Sequence, residues 1–506
     1  MIRSRFSQFR ALGAVLLLAA PQAAHAGSAS PKKSHGGFAW ENAIIHIEIA
    51  GKAYSYVQPW ARAERSVEKT GVVLADHLII TTADGLNDQT LIRLQKGGGG
   101  FFSVGRPVWI DYQSNLAALT TDEKGFWDGL QPAALADPVP NDGSIHISRW
   151  NADRLETRPG DIERMTVDNS ALSFVSVPAL KVDSTISGAG AGEPVTQGDR
   201  LLGLASGQDN DVVTAVPSSF IAQTINARKR GSFTGLGYFD FTWEPVQNPI
   251  ALQYLGLPGA PRGVIVKDTG LKPGINSLIH TNDVILQIDG FDIDAEGDYQ
   301  DPQYGKIMLE NLSSRGKWAG QTCQIKVWRD GKEQTIAYKL PRAEYSDELV
   351  PEQSFDHPPD YVLAGGFVFV RLSDALLRSW GAAWRQRAPF RLGYYELDKV
   401  KPDRSERIVL SGVLPAKVNI GYEMLHDAVL DEVNGVKIGK IADLVAALKT
   451  PVNGFDVFKF APGESMETVV LDASELDDAN QEIMARYHIP TDQVINPPPA
   501  TASVQR

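Results

Sequence analysis

The sequence predicts a mostly β chain built as a strand-rich first unit followed by two smaller α+β units. Three observations carry this. Residues 42–228 pass through many short apolar strands separated by turn signals, with few stretches of helical period, which indicates a β-barrel or sandwich. The segments "NDVILQIDG" (282–290) and "HDAVLDEVNG" (426–435) repeat one device, an acid or amide turn, a strand and a Gly-ended turn, as two copies of one domain type would. At 506 residues the chain is too long for a single hydrophobic core.

In chain order, residues 1–26 form a signal peptide: Arg3, Arg5 and Arg10 precede the apolar run "ALGAVLLLAA" and the small-residue site "AHA". The run is short for a bilayer span; an uncleaved anchor is the alternative. Cleavage predicts an exported protein, periplasmic or secreted, with no remaining membrane span. Residues 27–41 are expected as a flexible lead-in and 42–228 as the first β unit. The second unit, 229–343, has the strands "GVIVKD", "DVILQIDG" and "QIKVWRDGKEQTIAYKL" and an expected helix around 303–314. Its Asp330-Gly331 suits a tight hairpin turn. A Pro- and acid-rich linker, 344–359, leads to a third unit, 360–490, with the helix "KIADLVAALK"; residues 491–506 are expected as a disordered tail.

The formal charge is −12, and removal of residues 1–26 leaves 46 basic against 61 acidic side chains, about −15. Nothing in that balance neutralises phosphates, which argues against nucleic acid or an anionic membrane as partner. The single cysteine, Cys323, lies in an alternating strand and is expected as an apolar packing residue; no intramolecular disulfide is available. The nine histidines have no metal-ligand spacing, and no cofactor motif appears. Asp292, Asp294, Glu296 and Asp298 fall at calcium-loop offsets, but Gln303 stands where a bidentate Glu is needed, so a solvated acidic loop is expected. "KGGGGF" (96–101) lacks the Lys-Ser/Thr ending of a phosphate loop and is expected as a hairpin tip.

Three patterns in the first unit resemble the HtrA/Deg (DegP-like) family of trypsin-like serine proteases. "GVVLADHLIITTADGL" (71–86) is similar to the family's strand pair ending in "LTNAH", with Asp84 at the histidine position. "DYQSNLAALTTDEKGFWDG" (111–129) is similar to the segment carrying the orienting aspartate, with Asn115 in its place. "VDSTISGAGAGEP" resembles the family's nucleophile loop; counted back from Pro194, the serine position is Ala191. Beyond the first unit the chain resembles the plant nuclear Deg subgroup with an atypical second PDZ domain. The resemblance implies a trypsin-like double β-barrel followed by two PDZ-like domains, and a trimer-based homo-oligomer.

Acyl transfer by this family needs a hydroxyl, a base beside it and a carboxylate behind the base. Alanine has no hydroxyl, aspartate is a poor base at neutral pH, and asparagine offers no charge to an imidazolium. Loss of such a unit costs about 10⁶-fold in turnover in the best-measured serine protease. Glu193, replacing a family glycine beside Gly190 and Gly192, adds negative charge where an oxyanion would form. A pseudoprotease is therefore expected. The alternative is an endopeptidase with relocated residues, for which His77, Ser184 and Ser187 are the candidates.

Gly235-Leu236-Gly237-Tyr238 is similar to the PDZ carboxylate-binding loop, whose successive backbone N–H groups take a peptide C-terminus. An unoccupied glycine turn is the competing reading. Gly365-Gly366-Phe367-Val368 is a second, weaker candidate. Expected partners are polypeptide C-termini or unfolded exported proteins, an active Deg paralogue, and further copies of the chain. The last expectation rests on Trp40, Tyr54, Tyr56 and Trp60 as exposed aromatics.

Overall fold

The computed structural model describes residues 38–496, apart from 98–99, 171, 247, 270–277 and 346–347. The expected signal peptide and the end of the tail lie outside the described residues. From residue 39 onward the described residues belong to one compact unit.

The first barrel closes in the order β1-β2-β3-β6-β5-β4 from β1 (Ile44–Tyr54), β2 (Arg62–Leu74), β3 (Leu78–Thr81), β4 (Gln89–Lys96), β5 (Phe102–Asp111) and β6 (Leu116–Thr120). Strand alternation explains its core: Ile45, Ile47 and Ile49 of β1 point inward with Ile92 and Leu94 of β4. A second sheet is built from β7 (Ala134–Leu135), β8 (Ser144–Asn151), β9 (Arg154–Asn169), β10 (Ser176–Ser184), β11 (Pro194–Gln197), β12 (Arg200–Asp209) and β13 (Val212–Pro217). Pairing of β11 with both β8 and β12 closes it on itself, and the helix Ser218–Lys229 follows.

The second unit orders its main sheet β14-β15-β16-β20-β21, from β14 (Phe241–Pro245), β15 (Val264–Thr269), β16 (Val284–Ile288), β17 (Phe291–Asp292, on β16), β18 (Asp298–Asp301), β19 (Gly305–Met308), β20 (Thr322–Arg329) and β21 (Lys332–Lys339). The third contains β22 (Tyr361–Ala364), β23 (Phe367–Arg371), β24 (Ile408–Val413), β25 (Ala428–Val433), β26 (Val436–Lys437), β27 (Phe455–Phe460), β28 (Thr468–Asp472) and β29 (Gln493–Val494). Its sheet runs β28-β27-β25-β24-β23-β22-β29, with β26 on β25.

The repeated device is a shared backbone. Asp289-Gly290 (φ 51° and 88°) joins β16 to β17, and Asn434-Gly435 (φ 51° and 81°) joins β25 to β26. Two successive left-handed residues give the turn whose twist suits a hairpin. Asp330-Gly331 does the same between β20 and β21. Cys323 is fully buried, and burial pushes its thiol up to about 12, as befits a packing residue.

Several expectations need correction. The segment 303–314 is not one helix: it contributes β19 and a single helical turn, Asn311–Ser314. Gly305 (φ 76°) lets the chain reverse after Asp301, whose carboxylate accepts the N–H of Gln303 and Tyr304. The tail is ordered to Asn496, because β29 pairs with β22 and Asn496 bonds Asp360. The linker is docked: Phe355 stacks on Tyr112 at 3.9 Å, and the Asp356 carboxylate accepts Asp88 N–H (2.7 Å) and Tyr112 O–H (2.8 Å).

The four aromatics are not exposed. Trp40 donates to Gly198 O at 2.9 Å and Tyr54 is half-buried. Tyr56 and Trp60 pack into the core of the third unit, Trp60 meeting Tyr361 edge-on at 5.8 Å. Tyr56 and Trp60 thus tie the segment after β1 to the third unit of the same chain, and none of the four stands exposed to support self-association.

Candidate functional site

The turn after β3 brings Asp84 beside Asn115, which precedes β6. Asn115 is buried in a left-handed conformation (φ 49°), which asparagine tolerates better than most residues, and its Oδ1 accepts the Asp84 backbone N–H at 3.0 Å. The amide thus holds the chain at 84 rather than its side chain, and the Asp84 carboxylate is left exposed.

The glycine bend reaches the same place from the second barrel. Ala191 O accepts the N–H of Thr70 on β2 at 2.9 Å, so position 191 docks against the first barrel. Gly192 permits this approach: at φ 89°, an added Cβ would lie 2.5 Å from Thr70 O and 2.6 Å from Thr81 Oγ1. The peptide between Gly190 and Gly192 is held there without a functional side chain.

Glu193 closes the bend. Its side chain is 2% exposed, and Oε2 accepts the N–H groups of Gly190 (2.9 Å) and Ala191 (2.8 Å). Its Oε1 lies 3.8 Å from Arg149 Nη1, and the same guanidinium binds Ser187 O at 3.0 Å and Gly188 O at 3.3 Å. The carboxylate therefore does more than repel an oxyanion: it takes the two bend N–H groups for itself. Glu193→Ala would release both donors and leave Arg149 short of a partner. A loss of about 2 kcal/mol in urea unfolding is expected, whereas Glu193→Gln, which keeps one acceptor, should lose less.

Sequence reasoning missed Lys69. It sits on β2, 2% exposed, its Nζ donating to Thr82 Oγ1 at 2.7 Å. Burial lowers its pKa to about 8, against the opposing pull of the Asp84 and Glu193 carboxylates. The only hint in "RSVEKTGVV" is its place where the solvated half of a strand becomes a buried one. An amine beside a hydroxyl is a base–nucleophile arrangement, but Thr82 is 0% exposed and out of reach of a peptide carbonyl.

The relocated candidates are separated from the bend or already engaged. His77 is exposed at the β2–β3 turn and stacks on Trp127 at 4.8 Å. Ser184 is buried, donating to Pro159 O at 2.8 Å. Ser187 is exposed, and its backbone carbonyl accepts Arg149 Nη2 at 3.0 Å.

The carboxylate-loop candidates also find partners within the chain. Gly235 O accepts Ala319 N–H (3.0 Å), Leu236 is buried with its carbonyl bonded to Ala343 N–H (2.9 Å), and Gly237 bridges Arg342. Tyr238 stacks edge-on against Phe174 of the second barrel at 5.3 Å. Gly365 and Gly366 turn β22 into β23: Asn480 Oδ1 caps Gly365 N–H at 2.8 Å, Asn419 Nδ2 binds Gly365 O at 2.7 Å, and Phe367 and Val368 are buried. In the acidic loop, Lys306 Nζ occupies the centre, 2.7 Å from Asp294 and 3.7 Å from both Glu296 and Asp298. An internal ammonium there serves the carboxylates in place of a metal. No cluster of potential metal ligands occurs among the described residues.

Two closed β structures that meet at the bend, followed by two sheet units, form a trypsin-like double barrel with appended domains. Comparisons with known proteins agree. The chain matches the PDZ domain family over residues 350–494. It is similar to protease Do-like 2, chloroplastic, of Arabidopsis thaliana, 24% identical over 481 residues covering 92% of this chain and 76% of that one. It is also similar to putative protease Do-like 3, mitochondrial, of the same plant, 22% identical over 411 residues covering 80% and 71%. Among solved structures it matches the HtrA-type protease AlgW with decapeptide at TM-score 0.44 and 16% identity, covering 60% of this chain and 95% of that one. The curated relatives that it matches are thus Deg-type proteases, and its barrel pair is followed by sheet units of which residues 350–494 match a PDZ domain. The matched PDZ region begins ten residues before the expected boundary at 360, taking in most of the docked linker.

Proposed function

We propose that this protein is a non-catalytic relative of the Deg/HtrA-like proteases that binds other polypeptides, as an adaptor, regulator or holdase in envelope protein quality control. One observation carries the reading: at the nucleophile-equivalent bend the side chain is the methyl of Ala191, and the flanking N–H groups are bonded to the Glu193 carboxylate. A substrate carbonyl would meet no attacking atom, and the two oxyanion donors of this fold, the N–H groups of residues 189 and 191, are taken by Gln208 and Glu193. Export through residues 1–26 is part of the proposal; among the described residues no helix is long and apolar enough to cross a membrane. An active paralogue remains the proposed partner, since a pseudoenzyme that keeps a protease scaffold can engage the same clients.

The test is direct. Purified protein incubated with casein and with a fluorophosphonate probe is expected to cleave nothing and take up no label. Labelling that maps to Thr82, Ser184 or Ser187 and disappears on its mutation would establish the endopeptidase reading instead.

A further inference from the structure

Strand β12 runs beside the bend and carries a side chain that reaches back across it. Gly192 N–H donates to Ala205 O at 2.9 Å and Ala205 N–H to Glu193 O at 2.8 Å, so the end of the bend is bonded to this strand. An added Cβ at Gly190 would lie 3.0 Å from Gly207 Cα, which shows how closely the two backbones pass. Gln208 follows Gly207 and is half-buried.

Three contacts hold the Gln208 amide. Its Oε1 accepts Ala189 N–H at 2.8 Å, and its Nε2 donates to Ile186 O at 2.7 Å and to Asn210 O at 2.8 Å. A backbone N–H can be met only by the amide oxygen, and a carbonyl only by the amide nitrogen, so all three agree on one orientation. Asn210 lies in the turn between β12 and β13, in a left-handed conformation (φ 51°). The other two partners belong to the chain that leads into the bend. The side chain therefore spans from its own hairpin to the segment just before position 191.

The identity of the donor gives this contact its meaning. With the N–H of residue 191, Ala189 N–H forms the pair that takes a substrate carbonyl in this fold. A glutamine side chain ends in an amide, the group that a peptide bond would bring to the same place. Its oxygen, 2.8 Å from that N–H, stands within the distance at which the donor would hold a substrate oxygen. We infer that Gln208 is an internal substrate mimic, whose side-chain amide closes the ancestral cleft to the backbone of an incoming peptide. The inference rests on the non-catalytic reading above and deepens it: besides lacking an attacking atom, the bend does not dock a substrate, so a client polypeptide is held elsewhere on the chain.

The test places a thiol at position 191, where alkylation needs no catalytic base. In Ala191→Cys the thiolate attacks the chloromethyl carbon of a peptidyl chloromethyl ketone: a C–S bond forms, the C–Cl bond breaks, and chloride and the thiol proton leave. The natural Cys323 is fully buried, with its thiol pushed up to about 12, and does not compete. Labelling of the full chain by acetyl-tetra-alanyl chloromethyl ketone is compared with labelling by iodoacetamide, which has no peptide to dock. Adding Gln208→Ala should raise the peptidyl rate about tenfold or more, as removal of a competitor that fills the site about nine-tenths of the time implies, and leave the iodoacetamide rate within about twofold. If that variant exposes Cys323 to label, Gln208→Met, which keeps the bulk without the amide, takes its place with the same expectation. An unchanged or lowered peptidyl rate would make Gln208 a structural tie of the bend and overturn the inference, while a parent inert towards casein would leave the proposed function standing. A rise shared equally by both reagents would overturn it as well, since it marks a bend that has only loosened. Cleavage of casein by the parent would overturn the reading on which the inference rests.

Discussion

Combining Asp84→His, Asn115→Asp, Ala191→Ser and Glu193→Gly in one chain is expected to give a protein that takes up fluorophosphonate and cleaves casein, where the parent does neither. Each change restores one missing element. Ala191→Ser supplies the hydroxyl on a bend already anchored by Thr70 N–H. Asn115→Asp keeps an acceptor at the 3.0 Å contact with the backbone of residue 84 while adding the charge an imidazolium needs. Glu193→Gly matters most for the transition state, because the N–H of residue 191, one of the two oxyanion donors of this fold, is consumed by that carboxylate; the other, Ala189 N–H, is held by Gln208 at 2.8 Å. Removing the Ser–His unit from a working protease costs about 10⁶-fold, so recovery of even a thousandth of that is about 10³ over background. The triple variant that retains Glu193 should stay near background, since one donor lost from an oxyanion site costs about 10²–10³ by itself. Lys69 would oppose the reconstruction: its ammonium disfavours an imidazolium at 84, so adding Lys69→Met should raise the rate further. A triple variant retaining Glu193 that is as reactive as the quadruple one would show that the N–H groups held by Glu193 are not the oxyanion donors.

Stability should rise with pH between about 8 and 10.5, and Lys69→Met should remove that rise. The amine has its pKa lowered from 10.5 to about 8 in the folded chain by burial. Below pH 8 both folded and unfolded chains carry the proton, and the folded state bears the full cost of a buried charge. Between the two values the unfolded chain binds more protons than the folded one, which makes the unfolding free energy increase with pH. The gap corresponds to a gain on the order of 3 kcal/mol for a group this deeply buried. Urea unfolding followed at pH 7, 8.5 and 10 reads it. Lys69→Met should match the high-pH stability of the parent already at pH 7. A parent whose midpoint falls across this range, with the variant tracking it, would remove Lys69 as the cause.

Much of the site was legible in the residues. The glycines of the bend, the absence of a hydroxyl at 191 and the turn at Asn115 are local facts, and their order along the chain suggested one cleft. The Asp84–Asn115 and Thr70–Ala191 hydrogen bonds, with Lys69 feeling both Asp84 and Glu193, bring those segments to the same face of the first barrel. Other features were not legible, because their partners are distant in sequence. Glu193 reads as a charge beside a bend; only the fold curls its carboxylate back onto two N–H groups. Lys306 is an ordinary strand lysine until the β18–β19 hairpin lays it across the acidic loop.

What the sequence by itself determined is therefore local and chemical: alternating strands that must each bury one face, turns that need Gly or Asn at left-handed positions, and a bend with no attacking atom. The tertiary structure alone decided which surfaces those strands cover. It placed Tyr56 and Trp60 in the core of the third unit, pinned the linker to the loops that carry residues 84–88 and 111–115, and laid the Gln208 amide on Ala189 N–H. The reason is physical. Side-chain period and backbone preference act over a few residues, whereas burial, pKa and pairing depend on which remote segment closes against them.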